Sequence, residues 1–189
     1  MPSEQFPARP LVEEGPDELV EIVDEHDQPV LVVPAAEARV RKLRRRVVLV
    51  LLHDNAGRLY LQKRSRHKLA YPGRWDVSAS GHVRAGEAKE DAARRELAEE
   101  LGVKASGMAM LTAYNTKAEY GNTQVTVFHA TAPAARPAPD NDEVEEVILV
   151  EESELDTLVR DFSESLTPAL VWVVKHGYAF AAAKPAGKK

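Results

Sequence analysis

The sequence predicts an α+β domain in which helices pack on a mixed β-sheet. Three observations carry that expectation. Val47 to Leu52 is a continuous, valine-rich apolar run, as a strand buried on both faces requires. Ala88 to Leu101 is a well-marked helix closed by Gly102, the residue best suited to the left-handed position beyond a helix end. Several short apolar runs bounded by turn residues are mixed among the helices.

The elements follow in order. Residues 1–16 are proline-rich and form a loose lead-in, with a single domain over 17–183 and a basic tail, KPAGKK, over 184–189. Glu18 to Val23 and Val30 to Val33 are expected as strands around the turn-forming DEHDQP, followed by a short basic helix, Ala35 to Arg44. His53 to Gly57 is a turn, so Val47 to Leu52 and Arg58 to Lys63 are expected as a hairpin. Ser65 to Gly86 is loop-like, punctuated by Pro72, Gly73, Gly81 and Gly86. Met108 to Thr116, Thr123 to Thr131 and Val144 to Val150 are expected strands, with a proline-rich loop from Pro133 to Asp142. Glu152 to Arg160 and Pro168 to Ala183 are the remaining helices.

Composition narrows the function. The chain has 189 residues, 44% hydrophobic, enough for one core. A net charge of −5 argues against a nucleic-acid partner. The chain contains no cysteine, which excludes disulfides, thiolate metal sites and cysteine nucleophiles. The acidic start lacks the apolar core of a secretory signal, and no apolar run approaches a membrane span, so a soluble cytoplasmic protein with no membrane partner is expected.

The chemistry lies in Gly81 to Val103, GHVRAGEAKEDAARRELAEELGV. Glu96, Glu99 and Glu100 stand at i, i+3 and i+4 and share one face of a helix, beside an apolar stripe of Ala93, Leu97 and Leu101. Like charges at this spacing repel, which points to a hard divalent cation, Mg²⁺ or Mn²⁺, as their partner. A solvated acidic face is the alternative for an isolated cluster. Here the whole segment reads Gly, five residues, Glu, seven residues, then Arg-Glu-apolar-x-Glu-Glu-x-Gly-apolar, filled by Gly81, Glu87, Arg95, Glu96, Leu97, Glu99, Glu100, Gly102 and Val103. A chance match in a chain this long is on the order of one in a million.

That pattern resembles the box of the Nudix superfamily. The resemblance implies an α/β/α sandwich with a central mixed sheet, and a metal-dependent pyrophosphohydrolase acting on a small-molecule diphosphate. It implies that Glu96, Glu99 and Glu100 bind the divalent ion and help to activate water, and that the Gly81 carbonyl joins the metal shell. Glu87 and Arg95 are expected to pair and, with Gly102, to support the box. The base is a box glutamate or one from a later loop; Glu143, in the acidic run Asp142 to Glu146, is the candidate there. Many Nudix proteins are dimers, and the N-terminal hairpin or C-terminal helix would be the surface for a homodimer.

Upstream, QKRSRHKLAYPGRWD gathers Arg64, Arg66, Lys68 and Arg74 with Tyr71 and Trp75. Arg64, Lys68 and Arg74 suit a diphosphate, and the two aromatics suit stacking on a base or closing the pocket, with packing into the core as the alternative. The stretch RSRHKLAYPGRWDVSASGHVRAGE resembles the Nudix branch containing isopentenyl-diphosphate isomerase. There the residues matching Arg64 and Lys68 hold the diphosphate, and His82 matches a metal-binding histidine. The departures oppose isomerisation: Ser80 stands where the isomerases use a cysteine, Arg45 falls near a second metal-binding histidine, and the box is complete. An isomerase-like enzyme, a non-catalytic ligand sensor and an RNA-end pyrophosphohydrolase are the competing functions.

Overall fold

The structure is a computed structural model that describes residues 18–116, 122–131, 137–139 and 142–181. The expected lead-in, the tail and part of the proline-rich loop lie outside those residues.

The valine-rich run forms β3 (Arg45–His53), and the sheet is built around it. One edge of β3 pairs in parallel with β8 (Thr123–Thr131) along its whole length, from Arg45↔Thr123 to His53↔Thr131. The other edge takes β6 (Ala79–His82) antiparallel, from Val47↔His82 to Val50↔Ala79. Beyond these lie β1 (Leu19–Val23) and β2 (Pro29–Pro34) at one end, and β7 (Gly107–Asn115) outside β8. The strand β4 (Leu59–Arg64) pairs with β5 (Trp75–Asp76) and with β9 (Val144–Val150). One parallel pairing among antiparallel ones makes the sheet mixed.

Alternation along β3 divides the core. Val47, Leu49 and Leu51 face α3 (Glu152–Asp161) and α4 (Pro168–Lys175), packing with Leu155, Leu170 and Val173. Val48, Val50 and Leu52 face α2 (Lys89–Leu101), packing with Ala93, Leu97 and Leu101. Helices therefore cover both faces of the sheet, and β3 is apolar on both sides because both are buried. A third small cluster, Val20, Ile22, Val33, Ala35 and Ala38, joins the N-terminal hairpin to α1 (Ala35–Val40). Among the described residues no helix is long and apolar enough to cross a membrane.

Four local expectations are corrected. The segments 47–52 and 58–63 meet only at His53↔Leu59, because β6 occupies the edge of β3 that a hairpin partner would need. The stretch 65–86 is not loop throughout: it contains β5 and β6, and the latter, ASGH, is a strand through its pairing with β3 rather than through propensity. The helix expected to Arg44 ends at Val40, where Arg41 caps it and Lys42 turns left-handed at φ 53°. The terminal helix ends at Lys175; Gly177, at φ 75°, reverses the chain and returns Ala179 and Phe180 to the core.

Gly102 closes α2 at φ 65°, and a Cβ there would lie 2.7 Å from the backbone oxygen of Ala138. Both the left-handed geometry and this backbone contact oppose a side chain. Gly102→Ala is expected to lower stability by about 2 kcal/mol, seen as a reduced urea midpoint with unchanged slope.

Candidate functional site

The site follows from how α2 seats on the sheet. Ala93, Leu97 and Leu101 are fully buried, and this fixes the helix rotation. Glu96 and Glu100, next to that stripe, are drawn inward to 8% and 4% exposure, while the Glu99 side chain remains 47% exposed. The three glutamates therefore do not share one environment. Two are buried and one lies at the surface, and among the described residues no three acidic or histidine side chains form a ready-made cation cage.

Each buried carboxylate has fixed partners. Glu100 Oε2 accepts from Gln62 Nε2 at 2.8 Å and from the Ser80 backbone N–H at 2.9 Å. Glu96 Oε1 accepts from Arg95 Nη1 at 2.5 Å. The Glu96 carboxylate lies so close to Gly81 that a Cβ there would sit 1.9 Å from Oε1. Gly81 is thus needed for close approach of strand and carboxylate.

Arg95 organises the entry to the helix. It grips Glu87 with Nε and Nη2 at 2.8 and 2.9 Å, donates to the His82 carbonyl at 2.9 Å, and reaches Glu99 at 3.1 Å. Two parallel bonds to one carboxylate give this pair a fixed geometry. Burial works against the ionised Glu87, but the Arg95 guanidinium and the Arg84 backbone N–H outweigh it and hold the carboxyl below its ordinary range.

The N-terminal hairpin also holds this loop. Ala85 N donates to the Leu19 carbonyl at 2.8 Å and Gly86 N to Glu21 Oε1 at 3.1 Å. Asp27 bridges Arg46 and Lys89, the first residue of α2, each at 2.6 Å.

Burial, and then the neighbouring Glu96, push the Glu100 carboxyl up to about 8. Burial pushes Glu96 up to about 7 against the pull of Arg95. Two adjacent carboxylates withheld from water are costly when ionised, and a hard divalent cation relieves that cost. The donor set therefore fits Mg²⁺ or Mn²⁺: Glu96 and Glu100 would hold the ion, beside the Gly81 backbone and with Glu99 at the mouth.

His82 is placed otherwise. Its Nδ1 lies 3.1 Å from Glu18 Oε2 and its Nε2 accepts from the fully buried Arg45 at 3.1 Å, so both ring nitrogens have protein partners.

The upstream segment is more internal than its charge suggests. Arg64 is buried, donating to the Ala70 carbonyl at 2.9 Å and to Asp76 at 3.3 Å; Nη2 has no hydrogen-bond partner among the described residues. Arg74 bonds the Leu166 carbonyl and lies 5.6 Å from the Tyr71 ring centre; Tyr71 is buried. Trp75, half-buried, packs against the core with Lys63 over its ring. Lys68 faces Glu143 at 3.5 Å, Arg66 faces Glu145 at 3.5 Å, and Lys63 faces Glu146 at 3.8 Å. The acidic run at the start of β9 thus balances the basic loop, and Glu143 belongs to that balance.

Sequence reasoning missed Gln62 and Glu18. Gln62 had a signal: Tyr60, Gln62 and Arg64 alternate onto one side of β4, and a glutamine on a strand beside the buried Leu61 needs a polar partner. Glu18 had none, because its contact with His82 spans 64 positions.

Residues 43–170 match the NUDIX domain family, and the chain belongs to it. It is 48% identical over 87 residues to an uncharacterised Nudix hydrolase of Pseudomonas aeruginosa, covering 46% of this chain and 52% of that protein. It is 41% identical over 86 residues to an isopentenyl-diphosphate Δ-isomerase 2 of Photorhabdus laumondii, covering 46% and 49%. The chain thus spans about half the length of these two curated relatives. In structure it is similar to a Deinococcus radiodurans protein, with a TM-score of 0.71 at 24% identity over 85% of this chain and 99% of that one; this shows the shared fold.

A carboxyl whose folded-state pKa stands above its ordinary value of 4.5 favours folding while protonated, and that contribution is lost as pH rises through the folded value. The metal-free protein is therefore expected to lose stability between about pH 5 and pH 9, and Mg²⁺ to restore it. Glu100→Gln should remove most of the loss while abolishing the Mg²⁺ effect. Thermal melts across pH, with and without metal, check both.

Proposed function

We propose that the protein is a divalent-metal-dependent pyrophosphohydrolase that cleaves the diphosphate link of a nucleoside di- or triphosphate or of a nucleoside diphosphate-linked metabolite. The observation that carries this is the pair of buried carboxylates, Glu96 against Gly81 and Glu100 against the Ser80 backbone, inside a complete Nudix box.

The residues divide the work. Glu96 and Glu100 would hold the cation, and Glu87 with Arg95 fixes the loop before α2. When bound, such an ion would neutralise phosphate charge and favour the deprotonation of water, and a box glutamate would be the group to take up the proton. Glu99, paired with Arg95 and Arg84, is the box glutamate open to solvent, and Glu143, paired with Lys68, is exposed to a similar degree. Lys68, on the loop before the box, and Arg74 offer positive charge to the phosphates; Arg64 has only Nη2 left to add. Tyr71 and Trp75 form the apolar wall of that loop.

An isomerase-like reading has one specific support, the Photorhabdus relative. Against it, Ser80 holds the position of the thiol; its backbone N–H is committed to Glu100, and a serine hydroxyl does not supply a thiolate.

The test is a panel of nucleoside diphosphates, triphosphates and diphosphate-linked metabolites with Mg²⁺ or Mn²⁺, scoring released phosphate and the bond cut. Hydrolysis that is abolished by chelation is expected, with turnover in Glu96→Gln reduced by about a hundredfold or more while the fold survives. Full activity in Glu100→Gln, or no hydrolysis across the panel, would refute the proposal. Lys68→Ala should raise KM more than it lowers kcat; Arg64→Ala is a poorer probe, since it strands the buried Asp76. Isopentenyl diphosphate should give no allylic isomer.

A further inference from the structure

The Glu100 carboxylate has two oxygens, and the fold treats them differently. Both of its hydrogen bonds, from Gln62 Nε2 and from the Ser80 backbone, converge on Oε2. One donor is main chain and is fixed by the pairing of β6 with β3. The other is a side chain, and it comes from a different strand. Gln62 lies on β4, flanked in register by Asp76 of β5 and Val147 of β9, and is 1% exposed. Its amide reaches across to α2, 38 positions away, although backbone acceptors lie closer in sequence.

Two donors on one oxygen hold the carboxylate plane and leave Oε1 as the oxygen that would be offered to a cation. A carboxylate held by one donor alone is free to swing about its last torsion, which is broad and shallow. We infer that Gln62 is a positioning residue: it acts through Glu100, touching neither cation nor substrate, and presents Oε1 for metal binding. The inference rests on the reading of Glu100 as a metal ligand. Glutamine suits the task on chemical grounds, because it is neutral at every pH and carries the N–H donors the carboxylate needs. Lysine would neutralise the ligand, and glutamate would set a third carboxylate against it. Outer-shell partners of this kind typically carry about 10- to 100-fold of a site's metal affinity.

The experiment measures Mn²⁺ binding directly, by the free-ion electron paramagnetic resonance signal, together with the melting temperature of the metal-free protein. Gln62→Met keeps the length and removes the donor; Gln62→Asn keeps the amide but withdraws it by one methylene, and serves if the methionine variant does not fold. Either is expected to raise the Kd for Mn²⁺ by roughly tenfold or more. Leu61→Val, a change at the next residue on the opposite face of β4, is expected to lower the melting temperature and leave the Kd unchanged. An unchanged Kd in a folded Gln62 variant overturns the inference, and so does an equal rise in Leu61→Val, which would mean general loosening of the strand. A wild-type protein that does not bind Mn²⁺ would instead refute the metal site itself, and this inference with it.

Discussion

The burial of Glu96 and Glu100 beside one another is the constraint to which the surrounding structure answers. Neither carboxylate would lie out of water on its own account. They are carried there by Ala93, Leu97 and Leu101, whose packing on the sheet sets the rotation of α2. Once they are buried, each neighbour has a definite task. Gly81 makes room for Glu96, Arg95 meets its charge, and Ser80 and Gln62 supply the hydrogen bonds Glu100 would otherwise draw from water. Arg64 adds a buried positive charge that favours ionisation of Glu100.

The sheet makes this possible because β3 serves as a common reference. The β6 residues that touch the box carboxylates are in register with Val47 to Val50, and the same stretch is locked in parallel to β8. The strand carrying Gly81 is therefore positioned by its pairing with the central strand β3. The basic loop differs. It is balanced by the acids around the start of β9, Lys68 against Glu143 and Arg66 against Glu145.

Much of this was legible in the residues. The period of α2, the spacing of its glutamates and the role of Gly102 are local, and so could be read from neighbours three and four positions apart. The valine run of β3 announced a strand covered on both faces. What stayed hidden depends on pairing between distant segments. β6 has none of the usual strand-forming side chains and exists because β3 offers it an edge; that same pairing opened the expected hairpin. Arg64, Tyr71 and His82 read as ligand-facing because their chemistry suits phosphate, bases or metal. Their burial and their partners Asp76, Arg74 and Glu18 come from the tertiary fold. The split of the glutamate trio into two inner and one outer member was implicit in the helical geometry, yet it needed the position of the sheet to become definite.

The N-terminal hairpin has a mechanical consequence. The family match begins at residue 43, but the loop entering α2 leans on residues before it: Leu19 and Glu21 accept from its backbone, and Asp27 stands between Arg46 and Lys89. The loop entering α2 is thus tied to the hairpin in this chain. A fragment trimmed to the matched region would keep every signature residue and lose the strut beneath them, leaving Arg46 and Lys89 without their shared counter-charge. Hairpin and box are joined at the first turn of α2 by the charge that Asp27 shares between Arg46 and Lys89.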